Sequence, residues 1–239
     1  MDDQVARLVD KAWGRFQGTP ADRRFMIAIG GIPGSGKTTL SQIVTRALNA
    51  RHAALHPGAQ AAPIAAFVPM DGYHLTRAQL SAMPDPITAH ARRGAEFTFD
   101  GPAFLALVTA LREPLTPSTA TIFAPSFDHA VKDPRENDIA IRPEHRIVVF
   151  EGNYVVLDKA PWREAAELMD ERWFVEVEFG VARRRLGARH VKAGIARDEA
   201  EALKRADEND LVNGRQIVEN RVHVHEVVVS RDDAGWRHE

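Results

Sequence analysis

The residues Phe25-Met26-Ile27-Ala28-Ile29 run through Gly30-Gly31-Ile32-Pro33-Gly34-Ser35-Gly36 into Lys37-Thr38-Thr39-Leu40, and no other stretch constrains the fold so tightly. Five apolar residues ended by glycine read as a buried strand. Beyond the glycines, Leu40, Ile43, Val44, Ala47 and Leu48 fall on one face of a helix. In that order, strand, turn and helix leave the first N–H groups of the helix, and the positive end of its dipole, over the turn. The turn Gly31–Thr38 fits G-x-x-x-x-G-K-[ST]. Its glycines let the backbone curl until successive N–H groups face one anion. Lys37 can reach β- and γ-phosphates, and the Thr38 hydroxyl is a natural Mg²⁺ ligand. Gly31, Pro33, Gly34, Ser35, Gly36, Lys37, Thr38 and Thr39 are therefore expected to surround the phosphates of a nucleotide.

The rest of the chain alternates strands with helices. Val5, Leu8, Val9, Ala12 and Phe16 mark an amphipathic helix within residues 1–20. Ala65–Pro69 reads as a strand leading into Met70-Asp71-Gly72-Tyr73-His74, and Arg146–Phe150 as another leading into Glu151-Gly152-Asn153-Tyr154. Trp173–Phe179 and Val224–Val229 read as further strands, with a short one at Thr121–Ala124. Asp100 suits the N-cap of a helix carrying Phe104, Leu105, Val108 and Leu111. Helices are predicted over Val181–Ala193 and Asp198–Glu219, and loops over His52–Ala62, Arg77–Thr98 and Ser126–Asp138. Such alternation predicts an α/β fold, a doubly wound parallel sheet in one domain over residues 1–239. In such sheets the ligand crevice lies at the carboxyl ends of the strands. The P-loop, Asp71 and Glu151 each follow a strand there.

Composition narrows the class. The 239 residues are 44% hydrophobic and 27% charged, with net charge -2, which gives no basic excess for a nucleic acid or a membrane surface. Without cysteine there are no disulfides and no thiolate metal sites. Met1-Asp2-Asp3 does not open a signal or transit peptide. No apolar run approaches the roughly 20 residues of a membrane helix. A cytoplasmic protein acting on a small molecule is expected, with a homodimer left open.

An Asn-Lys-x-Asp guanine-reading segment and a Ser-Gly-Gly signature of ABC-type ATPases are both missing. Small-molecule kinases, with ATP and Mg²⁺ as cofactors, are the remaining large class. Gly31–Thr38, Met70–His74, Arg93-Gly94-Ala95-Glu96-Phe97-Thr98-Phe99-Asp100 and Val149-Phe150-Glu151-Gly152 resemble the uridine kinase/phosphoribulokinase/pantothenate kinase group over about residues 24–230. The nearest resemblance is to a nucleoside/nucleotide kinase-like branch that includes candidate bacterial fructose-transport kinases and a fungal ATPase. This implies a P-loop NTPase fold with a helical lid at about residues 181–200.

The resemblance implies that Asp71 is the general base for the acceptor hydroxyl and that Glu151 is a Walker-B carboxylate holding the metal beside Thr38. It implies that Arg185 and Arg189, one turn apart on the lid helix, face the transferring phosphoryl group. Tyr73, His74, Arg93, Asp100, Asp128, His129 and Tyr154 are the candidate acceptor-side residues. Thr98 and the N-capping position of Asp100 depart from the Asn-Phe-Asp segment of uridine kinases. Asn209 and Asp210 also look like the family, with no role derivable from sequence. The expected activity is transfer of the γ-phosphate of MgATP to a hydroxyl of a nucleoside, sugar or similar metabolite. A P-loop ATPase without an acceptor, or a nucleotide-sensing module, is the alternative.

Overall fold

A computed structural model describes residues 2–57 and 62–231. At its centre lie five strands, β1 (Phe25–Gly31), β2 (Ala65–Pro69), β5 (Ile147–Gly152), β6 (Glu171–Glu176) and β7 (Glu226–Val229). Their order is β2-β5-β1-β6-β7, and all neighbours are parallel. Strand alternation splits the interior in two. Met26 and Ala28 of β1 face a core with Val148, Phe150 and Phe174, covered by α5 (Gly101–Arg112) and α6 (Trp162–Glu167). Phe25, Ile27 and Ile29 face the opposite core, where α1 (Asp2–Gln17) and α2 (Lys37–Leu55) pack Leu8, Ala12, Leu40, Val44 and Leu48 against Trp173 and Val228. Because both faces are covered, the strands read as unbroken apolar runs.

Phe104 of α5 is fully buried, 5.6 Å from Phe150, 5.4 Å from Trp162 and edge-on to Tyr73 at 5.3 Å. Phe104→Ala is expected to lower the stability of the chain by roughly 3–5 kcal/mol, the cost of an uncollapsed aromatic cavity. Denaturant titration checks this, and a loss under about 1 kcal/mol would mean that the three rings close over the gap.

Each edge strand is clasped by a side-chain amide. On β2, Ala65 N–H donates to Asn49 Oδ1 at 2.8 Å and its carbonyl accepts from Asn49 Nδ2 at 3.0 Å. On β7, Val229 N–H donates to Gln4 Oε1 and its carbonyl accepts from Gln4 Nε2, both at 3.2 Å. Pro69, on the same side of β2 as Ala65, has no N–H to offer.

The structure departs from the sequence reading in several places. Ser126–Asp138 is no loop: β3 (Ile122–Asp128) and β4 (Asp133–Ile141) form an antiparallel hairpin outside the main sheet. Its polar, largely exposed Arg135–Asp138 stretch pairs with β3 only at Arg135, opposite Ser126, and spans the register shift of the hairpin, where Ser126 Oγ donates to Asp138 Oδ2 at 2.7 Å. Within Arg77–Thr98 there are two short helices, α3 (Arg77–Ser81) and α4 (Pro86–Ala91). Thr76 and Gln79 form a capping box on α3, and Asp85 caps α4 with Pro86 in the first turn, so Asp85-Pro86 starts a helix rather than breaking one. α2 continues to Leu55, well into the stretch expected to be a loop, and residues 58–61 of that stretch lie outside the described residues. β6 ends at Glu176, and Phe179 instead opens α7 (Phe179–Lys192). The last long helix is divided into α8 (Glu199–Arg205), a π-helical turn at Ala206–Asp210 and α9 (Leu211–Glu219). Among the described residues no helix is long and apolar enough to cross a membrane.

Candidate active site

The phosphate loop follows β1 as the sequence predicts. Gly36 is the N-cap of α2 with φ 86°, a left-handed conformation that a side chain resists, and no side chain caps the helix. The first N–H groups of α2 are thus left to an incoming anion. Register places the other loops around it. Glu151 of β5 lies beside Ile29 of β1 on one side and Pro69 of β2 on the other, so the P-loop, Glu151 and the turn bearing Asp71 emerge from three adjacent strands.

Thr38 Oγ1 donates to Glu151 Oε1 at 3.1 Å, and Lys37 Nζ lies 3.8 Å from the same oxygen. Burial pushes the Glu151 carboxyl up to about 7, against the pull of Lys37, and pushes the Lys37 ammonium down. Such a pair is poised to exchange its mutual contact for a phosphate and a cation. Hydroxyl and carboxylate oxygens are the hard donors that Mg²⁺ takes, usually alongside waters and substrate phosphates. Among the described residues no group of three or more His, Asp or Glu could hold a metal alone.

Asp71 sits in a single 3₁₀ turn, Met70–Tyr73, directly after β2. Its charge raises the pKa of both Lys37 and Glu151, which places its carboxylate on their side of the crevice. The β3–β4 hairpin packs so closely on this turn that a Cβ on Gly72 would lie 2.1 Å from the Pro125 carbonyl oxygen. His74 donates from Nδ1 to the Asp71 carbonyl at 2.8 Å, which leaves Nε2 of the neutral ring as an acceptor. Burial lowers the His74 pKa, and the ring lies 4.0 Å from Phe99 and 4.8 Å from Phe127.

The other predicted acceptor-side residues divide by their partners. Tyr73 is buried and, with His74, Asp100, Gln79 and Glu136, lines a cavity of about 350 Å³ between the turn, α5 and the hairpin. No P-loop residue lines that cavity. Asp100 also caps α5 by accepting from Ala103 N–H at 2.9 Å. Arg93 holds the hairpin: it bonds Asp133 and the Leu75 carbonyl, each at 2.9 Å, and the Lys132 carbonyl, with its guanidinium 5.5 Å from the Phe127 ring. Asp128 accepts from Val131 and Ala130 N–H groups, which hold its carboxyl below the ordinary range, and His129 is exposed beside Phe127. Tyr154 is fully buried, its hydroxyl donating to the Gly94 carbonyl at 2.8 Å.

On α7, Arg189 is exposed, and its charge lowers the pKa of Lys37 and Glu151. Arg185 lies across the P-loop, donating to the Gly34 carbonyl at 3.3 Å and to Ser230 Oγ at 2.9 Å. Lys37, Thr38, Glu151, Asp71 and Arg189 thus form one electrostatic cluster, with Arg185 behind it. The sequence reading missed Gln79 and Glu136 in the cavity wall. The Thr76-x-x-Gln79 capping pattern was a local signal for the first, whereas Glu136 depends on a hairpin without such a signal.

A parallel sheet with a phosphate loop after β1 and carboxylates after β2 and β5 defines a P-loop nucleotide-binding protein of the kinase type. No family model matches the chain. It is 57% identical over 168 residues to the ATP-dependent kinase-like protein notR' of Aspergillus versicolor, which covers 70% of this chain and 95% of that protein. It is 40% identical over 200 residues to C227.14 of Schizosaccharomyces pombe, a candidate uridine kinase, with 84% and 80% covered. Among solved structures, a candidate fructose transport system kinase from Silicibacter sp. TM1040 superposes with a TM-score of 0.75 at 31% identity, covering 92% of this chain and 98% of that one. YFH7 from Saccharomyces cerevisiae shares the fold with a TM-score of 0.83 at 24% identity, covering 96% and 99%. The chain belongs to the uridine kinase/phosphoribulokinase family of P-loop kinases.

Proposed function

We propose that this chain transfers the γ-phosphate of MgATP to a hydroxyl of a small polar metabolite, with Asp71 as general base. The observation that carries the reading is the placement of two carboxylates on neighbouring strand ends beside one phosphate loop. A nucleotide sensor has no use for the second. Asp71 stands on the crevice side and, among the described residues, has no hydrogen bond to its carboxylate, so it is free to take a proton. The acceptor hydroxyl gives that proton to Asp71 as its oxygen bonds to the γ-phosphorus, and the bond from phosphorus to the β,γ-bridging oxygen breaks to release ADP. Lys37 and Arg189 neutralise charge on the transferring group, and Arg185 steadies the loop through Gly34. Thr38 and Glu151 would hold Mg²⁺, which supplies charge neutralisation at the β- and γ-phosphates when bound.

The acceptor would enter beside His74, whose ring packs against Phe99 and Phe127 and whose Nε2 offers one hydrogen-bond acceptor. This suits a hydroxyl-bearing ring such as a nucleoside or a sugar. A screen of nucleosides, sugars and vitamin-precursor alcohols for ADP release tests the reading. One of them should raise the rate and itself gain phosphate. Steady hydrolysis indifferent to every acceptor would instead identify an ATPase.

A further inference from the structure

The π-helical turn Ala206–Asp210 adds a residue within an otherwise regular helix, and such turns are rare and occur mostly at functional sites. Its side chains reach two different parts of the molecule. Asp207 accepts two hydrogen bonds from Arg183, both at 2.7 Å, and Asp210 pairs with His190 Nε2 at 2.9 Å, so both end on α7. Asn209 reaches the segment at residues 92–94. Its Oδ1 accepts from Arg92 Nε at 2.9 Å and its Nδ2 donates to the Arg93 carbonyl at 3.1 Å. Asn213, one turn further on, accepts from Arg92 Nη2 at 2.9 Å.

Asn209 is only 4% exposed and Asn213 1%, so these are not the solvated polar groups of an ordinary helix face. Buried amides are retained where their partners must be held in one geometry. What they hold matters for the site. Beyond Gly94, whose carbonyl takes the Tyr154 hydroxyl, the segment continues to Phe99, whose ring packs at a tilt against His74. At the other end of the network, Arg185 of α7 bonds the P-loop carbonyl of Gly34. Polar contacts therefore link the phosphate loop, through α7 and the π turn, to residues 92–94, and the chain carries on from there to Phe99 beside His74.

We infer that Asn209 is a positioning residue which, through Arg92 and the Arg93 carbonyl, fixes the acceptor-side segment at residues 92–99 to the helix facing the phosphates, so that nucleotide binding rigidifies both together. The inference rests on the proposed function in taking the P-loop as the site of a nucleoside triphosphate and residues 92–99 as the acceptor side.

Hydrogen exchange on the full chain, with and without Mg²⁺ and the β,γ-imido analogue of ATP, tests it. In the parent protein the analogue should slow exchange in Gly31–Thr38, in α7 and across residues 92–99. Asn209→Asp keeps an acceptor for Arg92 but turns a carboxylate oxygen toward the Arg93 carbonyl, and Arg92→Leu cuts the link from the other side. In both, protection of the P-loop and α7 should persist, while nucleotide-induced protection of residues 92–99 falls by roughly tenfold, the size of one lost buried hydrogen bond. Unchanged protection of residues 92–99 in either folded variant would overturn the inference. So would an equal loss with and without nucleotide, the mark of a merely structural contact, or parental protection confined to the P-loop and α7. Absence of any effect at Gly31–Thr38 in the parent protein would overturn the nucleotide reading and the coupling with it.

Discussion

Asp71→Asn is expected to lower kcat for phosphate transfer by roughly 10²–10⁴-fold, the range for loss of a positioned general base, with nucleotide affinity held or slightly improved. The sign of the second effect follows from the charges around the crevice. Asp71 stands beside Glu151 and the cations Lys37 and Arg189, and its charge raises the pKa of both Lys37 and Glu151. Replacing it with a neutral isostere removes repulsion toward a triphosphate without changing the shape of the Met70–Tyr73 turn, where it is the Asp71 backbone carbonyl that accepts from His74 N–H and Nδ1. Acceptor-dependent ADP release measures the first quantity and an equilibrium titration with the ATP analogue the second. Turnover close to the parental rate would remove Asp71 from the mechanism.

Lys37→Met is expected to reduce turnover by roughly 10²–10³-fold, the usual effect of deleting one group that stabilises the developing charge, and to weaken nucleotide binding with it. Its second consequence concerns Glu151. The lysine is the main attraction that holds the pKa of that buried carboxyl down, so without it the group should remain protonated to higher pH. The double variant Lys37→Met, Glu151→Gln should then lose less binding energy than the two single variants together, because the residues stand 3.8 Å apart and act as a pair. Additivity within about 0.5 kcal/mol would show instead that they act independently.

The residues that were legible in the sequence are those whose roles are local. Gly31–Thr38 carries its chemistry in eight consecutive positions, and Asp71 and Glu151 stand out because each ends an apolar run that must be a buried strand. The hairpin was not legible. Arg135–Asp138 lacks an apolar alternation, and it spans a register shift in which only Arg135 has a partner on β3. Arg183 shows how a motif can mislead. It lies in a basic cluster suited to phosphates, yet its guanidinium is held by Asp207, 24 residues further along, whereas the charge of Arg189 on that helix acts on the Lys37–Glu151 pair. Tyr154 follows the same logic, since its hydroxyl faces Gly94 across 60 residues of chain. Asn209 and Asp210 could be noticed in the sequence, but their direction depends on a π turn that no propensity announces.

The amide clasps of Asn49 and Gln4 have a consequence for how copies of this chain can meet. An open parallel sheet ordinarily presents two rows of unpaired backbone groups, each a template for strand addition, domain swapping or fibril growth. Here one flank has its first outward peptide taken by Asn49 and its last lacking a donor at Pro69, and the other has Val229 taken by Gln4. Addition of a strand at either flank would therefore have to displace Asn49 or Gln4.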